Sequence, residues 1–240
     1  MAAGRSRQKE VRGWRWFLAE FAVVMAGVLA ALAAQQAANW VDRQGDMREA
    51  RVAIRRELAL NMAYLRSRQG TGDCLERRLN EVQAVIDSAR LDGDVQRPGW
   101  VGRPQFWSLE TVRWDAAAQS GRAALLPAEE MVHYSSMYTQ LGIAVAEMGL
   151  EQSDWARLRG MQTLRKLPPQ GAYDLNGVLA DARYRAWRIR LITEQELAEA
   201  KALGLEVIAN KDPASQSVCV PMTATPQEGR AQSRFPFGEL

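Results

Sequence analysis

The chain of 240 residues contains few of the residue types on which small disulfide-rich folds and metal sites depend. Its two cysteines cannot form a disulfide framework, and its single histidine excludes most histidine-based metal sites. Proline is scarce, with 9 residues, and the basic residues are almost all arginine, 27 against 4 lysines. Alanine and leucine are abundant, which together with the arginines predicts a helical protein. A hydrophobic fraction of 47% with a net charge of only +3 excludes a disordered chain.

No recognisable catalytic signature is present either. The chain lacks the G-x-S-x-G, Walker, G-x-G-x-x-G, H-E-x-x-H and C-x-x-C patterns. His133 has no second histidine with which it could share a metal or a haem. We therefore expect no enzymatic activity, no cofactor and no bound metal.

An apolar segment covers residues 16–40 and follows a basic tail of residues 1–15. No polar side chain occurs from Phe21 to Ala34, and about 23 apolar residues form a helix of about 35 Å, which is enough to span a bilayer. Indole rings prefer the headgroup level, and tryptophans stand at both ends of the segment: Trp14, Trp16 and Trp40. The segment predicts a transmembrane helix in contact with the lipid bilayer, with these tryptophans as interface anchors.

A cleaved signal peptide is the alternative, because Ala31-Leu32-Ala33 resembles a cleavage site behind a basic and an apolar region. The apolar stretch continues beyond that site, which favours a retained anchor. Basic residues are nearly balanced on the two sides, but a short basic N-terminus usually stays cytoplasmic. We expect a single-pass protein of a bacterial inner membrane, with its N-terminus in the cytoplasm and the bulk of the chain in the periplasm.

Small residues recur every four positions inside the apolar segment. A face of this kind lets a second helix approach closely and gain packing contacts that lipid does not offer. A general alanine bias of the genome would produce the same pattern, so both interpretations stay open. The candidates for packing on a partner helix are Ala22, Ala26, Gly27, Ala30 and Ala34.

The remainder of the chain predicts an all-α domain that continues from the anchor. Residues 41–90 have the apolar spacing of an antiparallel helical hairpin, and the seam positions of its second helix are Leu75, Leu79, Val82 and Ile86. A loop of residues 91–107 is rich in proline and glycine. Residues 108–209 predict a helical bundle, whose last long helix is expected to start at Asp174. Residues 210–240 show little periodicity and are expected to be mostly irregular.

Three aromatic side chains of the loop are candidates for contact with a partner: Trp100, Phe106 and Trp107. Long loops with large aromatic residues either fold back onto their own domain or dock on another molecule. The sequence leaves both outcomes open.

The two cysteines, Cys74 and Cys219, are predicted to form a disulfide if the domain is periplasmic, because that compartment is oxidising. Such a bond would tie the C-terminal tail to the helical hairpin. Closing a loop of that length contributes about 5 kcal/mol in the chain-entropy model. Two free buried thiols are the alternative.

A run of basic and aromatic residues lies near the end of the bundle, between Arg183 and Arg190. Nucleic acid would have to reach this run from the cytoplasm, so we expect no nucleic-acid partner. Lipid headgroups, an acidic protein surface or a solvated helix face remain open. In the last case the arginines would pair with Glu194, Glu196 and Glu199.

The chain resembles a family of uncharacterised bacterial single-pass membrane proteins that carry a domain of unknown function. The resemblance rests on the anchor pattern that begins at Phe17 and includes Glu20 and Gly27, and on Arg55-Arg-Glu57-Leu58 with Asn61. A second block is Trp114-Asp-Ala-Ala-Ala-Gln-Ser120-Gly121, followed by Leu125-Leu126, Tyr134 and Tyr138. Family membership would imply an N-terminal anchor and an external helical domain, and it supplies no activity.

These observations support two hypotheses of different kinds. The first is a non-enzymatic accessory or scaffold subunit of a larger integral membrane complex, for which an energy-transducing complex is one setting. It would bind its partners through the transmembrane helix and the extracytoplasmic domain. The second is a periplasmic helical module, anchored to the inner membrane, that binds or senses a ligand.

Overall fold

The computed structural model describes residues 7–207 and 217–233, with side chains from Trp14 onward except those of residues 15 and 92. This part of the chain is all-α and contains no strand, as the composition predicts. Six α-helices follow one another: α1 (Arg7–Gln69), α2 (Gly72–Asp92), α3 (Val112–Gln119), α4 (Ala128–Arg159), α5 (Pro169–Ala202) and α6 (Pro226–Gln232). The chain divides into two compact units, residues 1–50 and residues 51–240.

The first unit consists of the N-terminal part of α1. Every side chain from Trp16 to Arg43 is exposed, although most of them are apolar up to Val41. The segment is apolar around the whole helix, so packing one face on a single neighbour would leave apolar side chains exposed on the other faces. It is the one stretch within the described ranges that is long and apolar enough to cross a membrane.

The second unit is the helical domain, and its core begins on the C-terminal part of α1. One stripe of this helix is buried almost completely: Ile54, Leu58, Met62 and Leu65. The remaining faces carry arginine and glutamate, so the pattern has the helical spacing of an amphipathic helix. Helix α1 therefore has two kinds of surface, an exposed apolar one in its N-terminal part and an amphipathic one in its C-terminal part.

Helix α2 forms the second side of the core together with α4 and α5. Its four predicted seam positions are all buried: Leu75, Leu79, Val82 and Ile86. They belong to one cluster with Trp155 and Leu158 of α4 and with Val178 and Leu179 of α5. Helix α2 therefore lies against α5 and shares this cluster with α4. The antiparallel pairing of α2 with the C-terminal part of α1 stays a prediction.

Three features differ from the expected organisation. Helix α3 begins at Val112, and the irregular segment before it continues past residue 107 to residue 111. Helix α5 begins at Pro169, five positions ahead of the expected start at Asp174, because proline suits the first turn of a helix. The described part of the tail contains α6, which starts with a capping box formed by Thr225 and Glu228. Residues 210–216 and 234–240 of the predicted tail lie outside the described ranges.

Candidate functional site

The C-terminal segment is fastened to α2 by the two cysteines. The sulfur atoms of Cys74 and Cys219 lie at bonding distance, and the Cα atoms are 4.9 Å apart. Cys74 lies in the first turns of α2, and 145 positions of sequence separate it from its partner. The predicted pairing is therefore geometrically satisfied, and it holds residues 217–233 against the bundle.

Arg78, one turn after Cys74, reinforces this junction. Its side chain is only 1% exposed, and its guanidinium donates hydrogen bonds to the carbonyl oxygens of Trp100, Val101 and Val220. A further bond of 2.7 Å joins its Nε to Glu81. Desolvation by burial lowers the pKa of Arg78. Arg78 was not among the candidate residues, although an arginine one turn from a cysteine on an otherwise apolar face is a usable signal.

The three aromatic residues of the loop have different surroundings. Trp107 is buried and stacks on Tyr64 at 4.5 Å between ring centroids. Trp100 is half-buried and donates a hydrogen bond of 2.9 Å from its indole nitrogen to the carbonyl of Ser217. Phe106 is 42% exposed. Two of the three candidates therefore fold back on their own domain, and Phe106 is left as the exposed one.

Two glycines allow the loop and the C-terminal segment to approach each other. Gly102 has a positive φ of 70°, and a Cβ there would lie 2.4 Å from the carbonyl oxygen of Ser217. A Cβ at Gly229 would lie 2.1 Å from the Trp100 ring. Side chains at either position would separate the two segments. Helix α6 thus packs directly on the indole of Trp100.

Two polar side chains of α1, Arg55 and Asn61, form hydrogen bonds to the backbone of other elements. Arg55 donates hydrogen bonds to the carbonyls of Leu203 and Gly204, which follow the end of α5. Asn61 exchanges two bonds, of 2.8 and 2.9 Å, with the backbone of Glu110 just before α3. Both contacts satisfy backbone groups that the helices themselves leave unpaired.

Glu57 performs the same role at the start of α3. Its carboxylate accepts hydrogen bonds from the backbone nitrogens of Arg113 and Trp114, at 2.7 and 3.3 Å. It also accepts a bond of 2.6 Å from the hydroxyl of Tyr138. Burial and this bond raise the pKa of Tyr138. Glu57 of the first block that carries the family resemblance therefore contacts Trp114 and Tyr138 of the second block, which stack on each other.

A layer of charged side chains crosses the domain between α1, α4 and α5. The carboxylates all come from α4: Glu147, Glu151 and Asp154. Arg68 of α1 binds Glu151 at 2.5 Å, with 5% and 0% of the two side chains exposed. Burial raises the pKa of Glu151, and the positive charge of Arg68 opposes that shift. A carboxylate so fully removed from water depends on its arginine partner.

This layer explains most of the basic run on α5. Arg185 binds Asp154 at 2.8 Å and Glu147 at 3.3 Å, and Arg188 also binds Glu147. Arg183 contacts the carbonyl of Leu79 and the side chain of Asn80. Arg190 pairs with Glu194 at 3.9 Å, which is the pairing on the helix surface that the sequence suggested.

Glu196 and Glu199 do not pair with that run. Glu199 is bonded to His133 of α4. Glu196 is 4% exposed, and its Oε2 has no hydrogen-bond partner in the described part of the chain. Burial, followed by the negative charge of Glu199, raises the pKa of Glu196 to about 7. The single histidine of the chain therefore contacts a carboxylate beside a buried acid.

One face of α5 remains uncovered by the described residues. Tyr184, Trp187 and Leu191 recur at helical spacing and are 54%, 49% and 39% exposed. The two aromatic rings lie 5.9 Å apart, and Arg188 lies over the ring of Tyr184. This α5 surface, defined by Tyr184, Trp187 and Leu191, combines aromatic and cationic groups that are enriched at protein interfaces.

The predicted membrane-packing residues and interface tryptophans are also exposed. This holds for the small residues Ala22, Ala26, Gly27, Ala30 and Ala34 and for the tryptophans Trp14, Trp16 and Trp40. A Cβ added at Gly27 would meet nothing within 4 Å. Nothing within the described first unit covers these side chains.

Within the described residues, no group of three histidine, cysteine or acidic side chains is placed to hold a metal ion. The chain matches no protein-family model, no curated protein and no solved structure. Its function must therefore be inferred from its own surfaces.

Proposed function

We propose that this protein is a non-enzymatic, membrane-anchored accessory subunit of a larger inner-membrane complex, with its helical domain on the periplasmic side. The proposal rests on one observation above all: each side chain from Trp16 to Val41 is exposed on a helix that is almost entirely apolar. Water cannot solvate such a surface favourably, so lipid or other membrane helices must cover it.

The small residues of the anchor support a protein partner in addition to lipid. Ala22, Ala26 and Ala30 leave room along one face of the helix, and Gly27 widens it. Because lipid tails and aliphatic side chains are equally apolar, helices associate in membranes mainly through close packing. This face offers close packing, whereas the bulkier faces with Val24 and Val28 do not.

The α5 surface supports a second contact outside the membrane. Tyr184 and Trp187 present large amphipathic rings, and the neighbouring Arg190 is 61% exposed along its side chain. Aromatic and arginine side chains contribute most of the binding energy at many interfaces. The occupant that fits this surface is an acidic, partly apolar protein surface of the same complex.

The disulfide geometry supports the periplasmic side. Structural disulfides persist in oxidising compartments and are rare in the cytoplasm. Since Cys74 and Cys219 both belong to the second unit, that unit would be the one exported. Membership in the uncharacterised single-pass family suggested by the sequence would agree with this topology.

Extraction of the tagged full-length protein from its own membranes in mild detergent, followed by native mass spectrometry, tests the proposal. We expect a stoichiometric complex with other membrane proteins. The variant A26L/A30L should lose these partners, because leucine fills the face on which the second helix packs. The matched control V24L/V28L enlarges residues on another face of the same helix and should keep them.

Two results would contradict the proposal. A wild-type protein that always runs as a lone monomer or homodimer has no complex to belong to. Equal co-purification of partners by A26L/A30L and V24L/V28L would show that the small residues are not the contact.

A further inference from the structure

A cavity of about 650 Å³ lies between the loop before α3, the end of α4 and the C-terminal segment. Its volume is within the range of sites that hold ligands of drug or metabolite size. The lining includes three arginines, two aromatic rings and three glutamines, among them Arg103, Arg159, Arg230, Trp100, Phe106 and Gln152. All of these belong to the second unit.

The charge of this cavity has one sign. No aspartate or glutamate is among the described residues that line it. Arg103, Arg159 and Arg230 form no ion pair with any described residue, whereas arginines elsewhere in the domain, such as Arg68 and Arg185, bind carboxylates. Three cations that converge without a counter-charge repel one another, and an anion would relieve that repulsion.

The lack of a partner is clearest for the guanidinium of Arg159. Its Nε is buried and has no hydrogen-bond partner within the described ranges. Burial, and then the positive charge of Arg103, lowers the pKa of Arg159. A buried donor without an acceptor is costly, and buried polar groups are normally paired with protein, water or a ligand.

Hydrogen bonds made by lining residues hold the walls of the cavity in place. Gln152 donates a hydrogen bond of 2.8 Å to the carbonyl of Pro104, and its other end accepts one from Arg103 at 3.4 Å. Gln162 donates to the carbonyl of Gly99 at 2.7 Å. On the opposite side, the disulfide and the Arg78 junction fasten the segment that carries Arg230. The segments that carry the three arginines are therefore fixed by hydrogen bonds and by the disulfide.

We propose that this cavity binds an organic anion with at least two negative charges, supplied by phosphoryl or carboxylate groups, next to a flat or apolar moiety. Guanidinium groups pair with both kinds of anion in a bidentate manner. Trp100 and Phe106 provide the surface for the uncharged part of the ligand. Either a soluble phosphorylated compound or the phosphorylated headgroup of a lipid has this chemistry. The inference goes beyond the accessory-subunit proposal and does not depend on it.

Isothermal titration calorimetry on the full-length protein in neutral-lipid nanodiscs tests the inference. Three probes separate the contributions: inorganic pyrophosphate carries charge alone, phenyl phosphate adds a ring, and dihexanoyl phosphatidic acid represents a lipid headgroup. We expect saturable binding of at least one probe at constant ionic strength. Tighter binding of phenyl phosphate indicates a soluble ligand, and tighter binding of the phosphatidic acid indicates a lipid.

Variants then assign the binding to this cavity. Arg103→Gln and Arg159→Gln should each weaken binding at least about tenfold, since each removes a charged hydrogen-bond donor. Arg157→Gln is the matched control, because Arg157 is exposed on the same helix as Arg159 and does not line the cavity. Arg103 is exposed and its replacement leaves the core intact, so the test does not depend on the fold of the Arg159 variant.

Two outcomes overturn the inference. One is the absence of saturable binding for all three probes. The other is an equal affinity of the wild type and the three variants, which would show binding elsewhere on the protein. Neither outcome bears on whether the chain co-purifies with a membrane complex, so the two proposals can fail separately.

Discussion

The exposure of apolar side chains differs between two parts of the same helix, α1. In the first unit, Leu29 and Leu32 of α1 are 60% and 52% exposed. In the second unit, Leu58 and Leu65 of α1 are 0% and 1% exposed. The backbone is helical in both, so the helix itself does not decide the environment of its leucines.

The distribution of polar residues around the helix axis explains the contrast. Residues 21–34 have no polar side chain on any face, so they suit a surrounding of uniform low polarity. Near Leu58, by contrast, arginine and glutamate occupy the other faces and leave one apolar stripe for the core. An anchor and a core helix can thus be joined without a break, because each only requires its own pattern of polarity.

The same charge placed in each of the two regions should have different effects. Leu58→Arg should lower the free energy of unfolding of the domain by more than about 4 kcal/mol, because it buries an unpaired guanidinium in the core. Leu29→Arg should leave that free energy unchanged. It should instead reduce membrane insertion, at a cost of about 2.5–3.5 kcal/mol for arginine at the centre of a span.

Chemical denaturation of the full chain in detergent measures the first effect, and the fraction retained in washed membranes measures the second. Leu91→Arg is the control, since Leu91 is 81% exposed on the domain and should affect neither. A domain that loses stability on Leu29→Arg would show that the two regions are not independent.

The disulfide provides a smaller effect that is confined to the helical domain. The double substitution Cys74→Ser with Cys219→Ser should lower the free energy of unfolding by about 3–5 kcal/mol. Without the bond, the unfolded chain regains the conformational freedom of a loop of 145 positions. Hydrogen exchange should accelerate in residues 217–233 and not in the apolar segment of α1. If both thiols of the wild type react with an alkylating reagent before reduction, the bond is absent.

The smallest expected effect is a pH dependence caused by Glu196. Its pKa is raised to about 7 from an ordinary value of 4.5, so the folded state binds the proton more tightly than the unfolded state. The stability contributed by the protonated acid is complete below about pH 4.5 and is lost as the pH rises through about 7. We expect the free energy of unfolding of the wild type to fall by about 2 kcal/mol over this interval relative to that of Glu196→Gln.

Denaturation curves between pH 4.5 and pH 8.5 measure this difference. Glu194→Gln is the matched control, because Glu194 is 53% exposed along its side chain on the same helix. Parallel pH profiles for the wild type and Glu196→Gln would contradict the assignment.

Much of the fold could be predicted from periodicity alone. The seam of α2 follows the spacing of Leu75, Leu79, Val82 and Ile86, and burial of all four confirms it. The end of α1 follows from Gly70, which comes directly after Gln69. Local spacing predicts such features because a helix repeats the same geometry at each turn.

The partners of the charged residues could not be predicted in this way. The sequence suggested pairing of Arg185 and Arg188 with glutamates of their own helix, yet they bind Glu147 and Asp154 of α4. Glu196 was expected on a solvated face and is buried. A charged side chain pairs with whatever approaches it in space, and the neighbours come from helices distant in the sequence.

Patterns over a few neighbouring positions predict that the chain is helical, where its apolar segment lies and which stripe of α2 is buried. Which polar groups meet depends on the tertiary structure. It brought Glu57 to the start of α3, Arg78 to the carbonyls of two separate segments, and Arg103, Arg159 and Arg230 into one cavity. Those contacts join residues that are far apart along the chain, and no periodicity relates them.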